Sequence, residues 1–170
     1  MQHIRGELFA TDCDALVITT NGFVKANGEC VMGKGCAAQA KRLMPELPRQ
    51  LGNHIATNGN CVGLLQVHPS GVNVLSFPVK PVSSQSNGSN VVRHMRSQFP
   101  AGTTVPGWAC VADLAIIRQS CKELKALADE HGWQTIALPR PGCGAGELSW
   151  EEVKPILEEE LDERFVSVTY

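Results

Sequence analysis

Short apolar runs alternate with amphipathic segments along the chain, and the two patterns predict strands and helices respectively. The predicted strands cover residues 2–9, 15–21, 61–67, 72–77, 134–138 and 165–170. The predicted helices cover residues 34–44, 109–131 and 150–163, where apolar positions recur close to every 3.6 residues. The run at 15–21 is almost continuously apolar and β-branched, which is typical of a strand buried on both faces. This order predicts an α/β domain with a mixed central sheet in a three-layer α/β/α arrangement.

Turn and cap residues set the expected bounds of these elements. Pro45 and Pro48 are expected to end the helix at 34–44. Ser149, followed three residues later by Glu152, predicts a capping box at the start of the last helix. The long segment 78–107 is polar and rich in Ser, Asn, Gly and Pro, so we expect a binding loop or a disordered insertion, with room for a short helix around 91–96.

Composition narrows the class of protein. With 170 residues, 43% hydrophobic and 19% charged, the chain fits one globular domain spanning 1–170. A net charge of −2 argues against non-specific attraction to nucleic acid, but leaves room for a small anion held by backbone amides. The seven cysteines form no C-x-x-C pair, so we expect reduced thiols and no metal site. No signal-peptide core and no 18-residue apolar run are found, so we expect a cytoplasmic protein without a membrane partner.

The most informative stretch is the glycine-rich run 139–148, which lies between the strand at 134–138 and the last helix. Gly142, Gly144 and Gly146 leave a backbone with almost no Cβ wall, so consecutive N–H groups can point at one guest. The dipole of the following helix would add positive potential. These features favour a cradle for a phosphate or diphosphate; the alternative is a bare connection between a strand and a helix.

A second glycine-bearing loop occupies residues 21–37 and also leads from a strand into a helix. Its G-x-x-x-x-G-K spacing ends at Lys34, but Gly35 stands where a P-loop needs Ser or Thr for magnesium, so we exclude an NTPase. The run 142–147 likewise fails the dinucleotide fingerprint, because Glu147 occupies its third glycine position. Both loops follow strands, so we expect them to meet at the carboxyl edge of the sheet and to clamp an extended ligand. Asn21 could offer a donor and an acceptor to a sugar hydroxyl, or simply form an Asn-Gly turn.

Several segments, in the right order over nearly the whole chain, resemble the macrodomain, an ADP-ribose-binding module. They are Gly6-Glu7-Leu8, Asn21, the run V-M-G-K-G-C-A at 31–37, and the run 139–148. Phe77-Pro78-Val79-Lys80 is similar to the F-P-T-K motif of the branch that contains the terminal ADP-ribose glycohydrolase and DarG-like macrodomains. The resemblance implies the macrodomain fold, ADP-ribose as the ligand and no cofactor.

The same resemblance implies a set of ligand-binding residues. Glu7 stands where the family reads the adenine amino group, one methylene longer than the usual aspartate. Met32, Gly33, Lys34, Gly35 and Cys36 would line one side of the ribose–diphosphate channel. The other side would be formed by Pro139, Gly142, Cys143, Gly144, Ala145 and Gly146.

Lys80 is the candidate catalytic residue, since an amine whose charge is suppressed becomes a nucleophile near neutral pH. The alternative is a solvated loop lysine. The chain departs from the glycohydrolase pattern because Gly146 stands where that enzyme has an acidic residue, although the neighbouring Glu147 could supply a carboxylate. The H-W-R that tends to follow the lysine is replaced by residues 81–83, so contacts to DNA would have to come from elsewhere. A basic cluster at 93–96 could provide them, or could be an ordinary solvated face.

These observations lead to one hypothesis with two alternatives. We expect hydrolysis of an ADP-ribosyl group from a protein side chain, a nucleobase or a small metabolite, with Lys80 as the nucleophile. The alternatives are a non-catalytic ADP-ribose-binding module and a phosphatase acting on ADP-ribose 1″-phosphate. The expected partner is ADP-ribose or an ADP-ribosylated substrate, with DNA as one candidate carrier, and the chain is expected to act as a monomer.

Overall fold

A computed structural model describes all residues from 1 to 170. It contains two sheets and four α-helices. The strands are β1 (Gln2–Arg5), β2 (Ala15–Thr20), β3 (Gly63–Val67), β4 (Asn73–Pro78), β5 (Ser83–Gln85), β6 (Thr104–Pro106), β7 (Ile136–Leu138) and β8 (Phe165–Thr169). The helices are α1 (Gly35–Leu43), α2 (Leu47–Asn58), α3 (Leu114–His131) and α4 (Trp150–Glu160), and short 3₁₀ helices cover Leu8–Ala10, Arg93–Met95 and Gly107–Ala109.

Six strands form the central sheet in the order β1-β8-β7-β2-β4-β3. All neighbours pair in parallel except β3, which pairs with β4 in an antiparallel hairpin. The sheet is therefore mixed, as the sequence predicted. The parallel pairs bring the carboxyl ends of β7, β2 and β4 to the same edge, where the two glycine-bearing loops begin.

Two hydrophobic cores lie on opposite faces of this sheet and make the domain three-layered. Successive side chains of β2 alternate between them: Val17 belongs to the core under α3 and α4, and Leu16 and Ile18 belong to the core under α1 and α2. Residues 15–18 are all buried, which confirms the strand predicted to be covered on both faces. None of the helices combines the length and the apolar character needed to cross a lipid bilayer.

The largest error of the sequence prediction is the missing helix α2. Pro48 does not follow a helix here; it lies in the first turn of α2, where the absent N–H costs no helical hydrogen bond. The strand predicted at 2–9 ends at Arg5, and α3 begins at Leu114 instead of residue 109 because Asp113 caps it by accepting a hydrogen bond from the Ala115 amide. The predicted capping box of Ser149 and Glu152 is confirmed.

Residues 78–107 are structured. Residues 78–82, which carry Lys80, are called the lysine turn below, and residues 83–110 are called the insertion. Strands β5 and β6 pair in an antiparallel hairpin, and Arg93–Met95 forms a 3₁₀ turn within the stretch where a short helix was considered. Four buried residues give this region and its junction a small core of their own: Val91, Val105, Ala109 and Cys110. Since the sequence carries no clear period here, this packing depends on contacts between distant residues.

Gly52 tests the close approach of α2 to the first glycine-bearing loop. A Cβ at this position would overlap the backbone carbonyl of Gly28. Alanine is the better helix former by about 1 kcal/mol, but overpacking against a backbone atom costs more, so we expect Gly52→Ala to lower the free energy of unfolding by about 1–2 kcal/mol. Urea denaturation measures this change. The matched control is Gly6→Ala, whose Cβ would meet only Val168 at 4.0 Å; equal unfolding midpoints for the two variants would contradict the packing described here.

Candidate functional site

A cavity of about 330 Å³ opens at the carboxyl edge of the sheet, between the two glycine-bearing loops and the insertion. Its walls come from the ends of β2, β4 and β7, the start of α1 and part of the insertion. The residues that line it are Thr19, Thr20, Asn21, Val31, Met32, Gly33, Lys34, Gly35, Cys36, Ala37, Val79, Lys80, Val92, His94, Trp108, Pro139, Arg140, Gly142, Gly144, Ala145 and Gly146.

The cavity contains all but two of the residues that the sequence indicated for the site. Glu7 is exposed and lies after β1, outside the lining. Cys143 also lies outside it, and its thiol points to the Pro141 carbonyl at 3.5 Å. Asn21 lines the cavity, but its amide already donates to the Val31 carbonyl at 2.9 Å and accepts from the Phe23 amide at 2.9 Å. Both side-chain groups of Asn21 therefore bond within the first loop, to residues 23 and 31.

The first wall carries the free N-terminus of α1. The N-cap residue Lys34 gives no side-chain cap, and no acidic residue lies in the first turn. The first N–H groups of a helix have no intrahelical acceptor, so those of Gly35, Cys36 and Ala37 are available at the cavity wall. Gly35 has φ +59°, a backbone conformation that glycine adopts without strain. This helix end presents donors and positive potential to the cavity.

The second wall is the glycine-rich run. The amides of Gly144, Ala145 and Gly146 have no acceptor within the protein, whereas those of Cys143, Glu147 and Leu148 bond back to the loop itself. Three consecutive free amides in a turn form an anion-binding concavity. The N-terminal residues of α4 do not line the cavity, and Ser149 and Glu152 form a reciprocal capping box there. The positive helix end at this site belongs to α1 instead.

Lys80 follows β4 on a turn whose carbonyl groups all have donors. The Ser120 hydroxyl donates to the Pro78 carbonyl at 2.7 Å, and the Asn60 amide donates to the carbonyl of Lys80 itself at 2.9 Å. The backbone amides of Asp113, Gly22 and Gly107 donate to the carbonyls of Val79, Pro81 and Val82. The turn is therefore held on every side, and the lysine enters the cavity from a rigid base.

The Lys80 side chain is 7% exposed and its amine is held inside the cavity wall. Nζ donates to the carbonyls of Trp108 and Ala145, each at 3.2 Å. Burial is the main cause that lowers the pKa of Lys80; nearby Cys110 and Glu147 act to raise it, and Lys34 lowers it further. An amine with a lowered pKa has a larger uncharged fraction near neutral pH, as a lysine nucleophile requires.

Three consecutive amides ahead of α3 connect the parts of this site. The Val111 amide donates to Asn90 of the insertion at 2.9 Å, the Ala112 amide to Gly146 of the glycine-rich run at 2.9 Å, and the Asp113 amide to Val79 of the lysine turn at 2.9 Å. One short extended segment therefore fixes the positions of the insertion, the glycine-rich run and the lysine turn relative to one another.

The packing around Gly146 explains why this position carries no acidic side chain. A Cβ there would lie 2.6 Å from the Ala112 Cβ and 2.6 Å from the Gly142 carbonyl oxygen, so no side chain fits. The neighbouring Glu147 does not substitute for it, because its carboxylate lies outside the cavity lining and accepts a hydrogen bond from the Arg93 amide at 2.9 Å. Glu147 has φ +64°, the only positive φ at a non-glycine residue. This carboxylate holds the insertion against the glycine-rich run.

The insertion supplies the roof of the cavity, which sequence reasoning missed. Val92, His94 and Trp108 line the cavity, and Lys34 Nζ lies 3.0 Å from His94 Nε2 across its mouth. The sequence signal for these residues was weak, since they lie in a polar segment without a period. Arg140 was also missed as a lining residue, although it lies inside the motif that carried the family resemblance.

Comparison with known sequences gives one relative that covers almost the whole chain. The DNA ADP-ribosyl glycohydrolase of Thermus aquaticus is 27% identical over 162 residues, which make up 95% of this chain and 38% of that protein. The chain thus spans well under half the length of this relative. No family model matches the chain.

Comparison with solved structures shows which known fold the chain shares. The macrodomain of Thermus aquaticus DarG superposes with a TM-score of 0.71 at 24% identity, covering 99% of this chain and 97% of that one. The macrodomain of Mycobacterium tuberculosis DarG gives 0.69 at 23% identity, covering 99% and 97% of the two chains. The Thermosipho africanus DarTG structure, in complex with ADP-ribose, gives 0.71 at 18% identity, with coverage of 99% and 41%. The protein therefore has the macrodomain fold. These solved structures are DarG macrodomains or contain one, and the sequence resemblance pointed to the same group.

The charges around Lys80 predict opposite responses in two charge-neutralising variants. Glu147→Gln removes a carboxylate that raises the pKa of Lys80, so we expect that pKa to fall further. Lys34→Gln removes a cation that lowers it, so we expect it to rise. Titration of the lysine side chains by heteronuclear NMR measures both values against the unmodified chain. Shifts of the same sign in the two variants would contradict this account of the site.

Proposed function

We propose that this macrodomain binds ADP-ribose and hydrolyses ADP-ribosyl adducts, with Lys80 as the nucleophile. The observation that carries the proposal is the position of a buried amine in the same cavity as two groups of free backbone amides. The amides of α1 and of the glycine-rich run are suited to a diphosphate, whose charge they neutralise without a competing carboxylate in the lining. With the diphosphate bound there, the Lys80 amine lies beside the distal ribose of the ligand.

The chemistry follows from the state of the amine. Uncharged Nζ attacks the anomeric carbon of the distal ribose; the bond from that carbon to the leaving group breaks, and the leaving group departs with a proton. The sugar opens and remains attached to Lys80 as an imine. Water then adds to the same carbon, Nζ leaves, and free ADP-ribose forms with the net consumption of one water. Binding energy from the diphosphate holds the anomeric carbon near the amine.

DNA is the adduct carrier that the relatives favour, since one of them is named a DNA ADP-ribosyl glycohydrolase. The rim of the cavity agrees with a polyanionic carrier: Arg93 and Arg96 are exposed on the insertion beside His94, which lines the cavity. Arg and Lys side chains at such a rim neutralise flanking phosphates. We therefore propose DNA as the substrate class, held at the rim while the ADP-ribosyl group occupies the cavity.

A binding module without turnover is the second candidate, and Gly146 favours it. The acidic partner expected from the glycohydrolase resemblance has no room at this position, and Glu147 is engaged by Arg93. Micromolar affinity for ADP-ribose without release from modified protein or DNA would identify this function. Release of phosphate from ADP-ribose 1″-phosphate by a Lys80→Ala variant would identify the phosphatase instead.

Substitution of Lys80 tests the mechanism. We expect Lys80→Ala to reduce release of ADP-ribose from modified DNA by about 10³-fold or more, as the loss of a nucleophile does elsewhere. Lys80→Arg should be equally inactive because a guanidinium stays protonated. Exposed Lys41 provides the matched control, and Lys41→Ala should keep the full rate. For the unmodified chain the rate should rise with pH and level off below the ordinary pKa of lysine; full activity in Lys80→Ala would exclude this mechanism.

Substitution of Gly144 tests the anion cradle. A Cβ at this position meets no atom within 4 Å, so Gly144→Glu should fold normally while its side chain fills the cavity with negative charge. Like charges brought together cost several kcal/mol, so calorimetry should show ADP-ribose binding weakened by about 100-fold or more. Gly144→Ala is the control and should retain most of the affinity. Unchanged affinity in a folded Gly144→Glu variant would mean that the run is only a connection.

A further inference from the structure

Arg140 is the one arginine in the cavity wall, and its guanidinium forms no ion pair with an acidic side chain. It follows β7 between Pro139 and Pro141, so its backbone has little freedom. No carboxylate lies within 4.0 Å of its guanidinium, although Arg118 and Arg164 each pair with two. The Nε atom is fully buried and has no hydrogen-bond partner in the protein. A buried donor without an acceptor is costly, so this arrangement indicates an acceptor that the protein itself does not provide.

Trp150 holds this guanidinium in place. The Arg140 Cζ lies 4.5 Å from the centre of the Trp150 ring, which is cation–π geometry. The ring in turn packs edge-on against His3 at 5.3 Å, and His3 bonds to Glu158 and Ser167, each at 2.6 Å. The charge is therefore presented by a side chain whose orientation is set by packing, without neutralisation by an anion.

The two lysine side chains of the lining already have hydrogen-bond partners within the protein. Lys80 Nζ donates to two carbonyls, and Lys34 Nζ contacts His94. Arg140 also lies away from Lys80 along the sheet edge, because β2 separates β7 from β4. Two strand spacings correspond to about 10 Å, so a group bound by Arg140 belongs to a different part of the ligand from the carbon attacked by Lys80.

We propose that Arg140 is a specificity-determining residue that recognises a phosphoryl group of the ligand through its preoriented guanidinium. The inference rests on the proposed ADP-ribose binding and adds the charged contact to the backbone cradle. A guanidinium matches a phosphate oxyanion geometrically, and its desolvated Nε gains a charge-assisted hydrogen bond when the anion arrives. Recognition by a fixed charge would separate phosphorylated nucleotides from nucleosides of the same base.

The test compares Arg140→Gln and Arg140→Lys with the unmodified chain, using adenosine, AMP, ADP and ADP-ribose as probes. We expect Arg140→Gln to weaken ADP-ribose binding by about 10- to 100-fold and to flatten its dependence on salt, while adenosine binding, followed by NMR, stays unchanged. Arg140→Lys should lie between the two, since it keeps the charge but loses the planar fork. An equal loss for AMP and ADP would identify the phosphoryl group next to adenosine; a loss for ADP alone would identify the second one.

Arg42→Gln is the matched control, because Arg42 is exposed at the far end of α1 and has no ion-pair partner. Thermal unfolding of every variant shows that the fold is retained. ADP-ribose affinity within twofold of the unmodified chain in Arg140→Gln would overturn the inference alone, as would an equal loss for adenosine, which would reveal a packing effect. Failure of the unmodified chain to bind ADP-ribose would overturn the proposed function, and the inference with it.

Discussion

The site depends on three backbone hydrogen bonds donated by residues 111–113. These amides reach the insertion, the glycine-rich run and the lysine turn. Because successive amides of an extended chain point to opposite sides, one short segment can hold partners on both of its flanks. The relative positions of the insertion, the glycine-rich run and Lys80 follow from this segment, and α3 begins directly after it and anchors it in the core.

Three kinds of group supply positive charge at the site: free backbone amides, the buried amine of Lys80 and the guanidinium of Arg140. Free amides of α1 and of residues 144–146 provide partial positive charge without desolvated side chains. Lys80 is buried and its pKa is lowered, which favours nucleophilic use over charge pairing. The Arg140 guanidinium is oriented by an aromatic ring and has no carboxylate partner. A cation near the amine lowers its pKa, as Lys34 does for Lys80, so positive groups that attract an anion are compatible with an uncharged amine in the same cavity.

The features that could be predicted from the sequence are those set by a few neighbouring residues. Gly142 and Gly146 were informative because each lies where a Cβ would collide with the protein, and the capping box of Ser149 needs only two residues at a fixed spacing. Helix α2 was missed because Pro48 has opposite meanings at the end and in the first turn of a helix. The roof was missed because its residues are brought together by pairing between β5 and β6, which leaves no periodic pattern in a polar segment.

The absence of a side chain at Gly146 has a consequence for how the lysine is activated. A neighbouring carboxylate would hold the amine in its charged form, whereas burial favours the uncharged form. The Trp108 carbonyl is one of the two acceptors of Nζ, and Trp108 lines the same cavity. The segment that carries Trp108 therefore contributes to the burial that lowers the pKa of Lys80. The lowered pKa of Lys80 is thus a consequence of burial and not of a neighbouring acidic group.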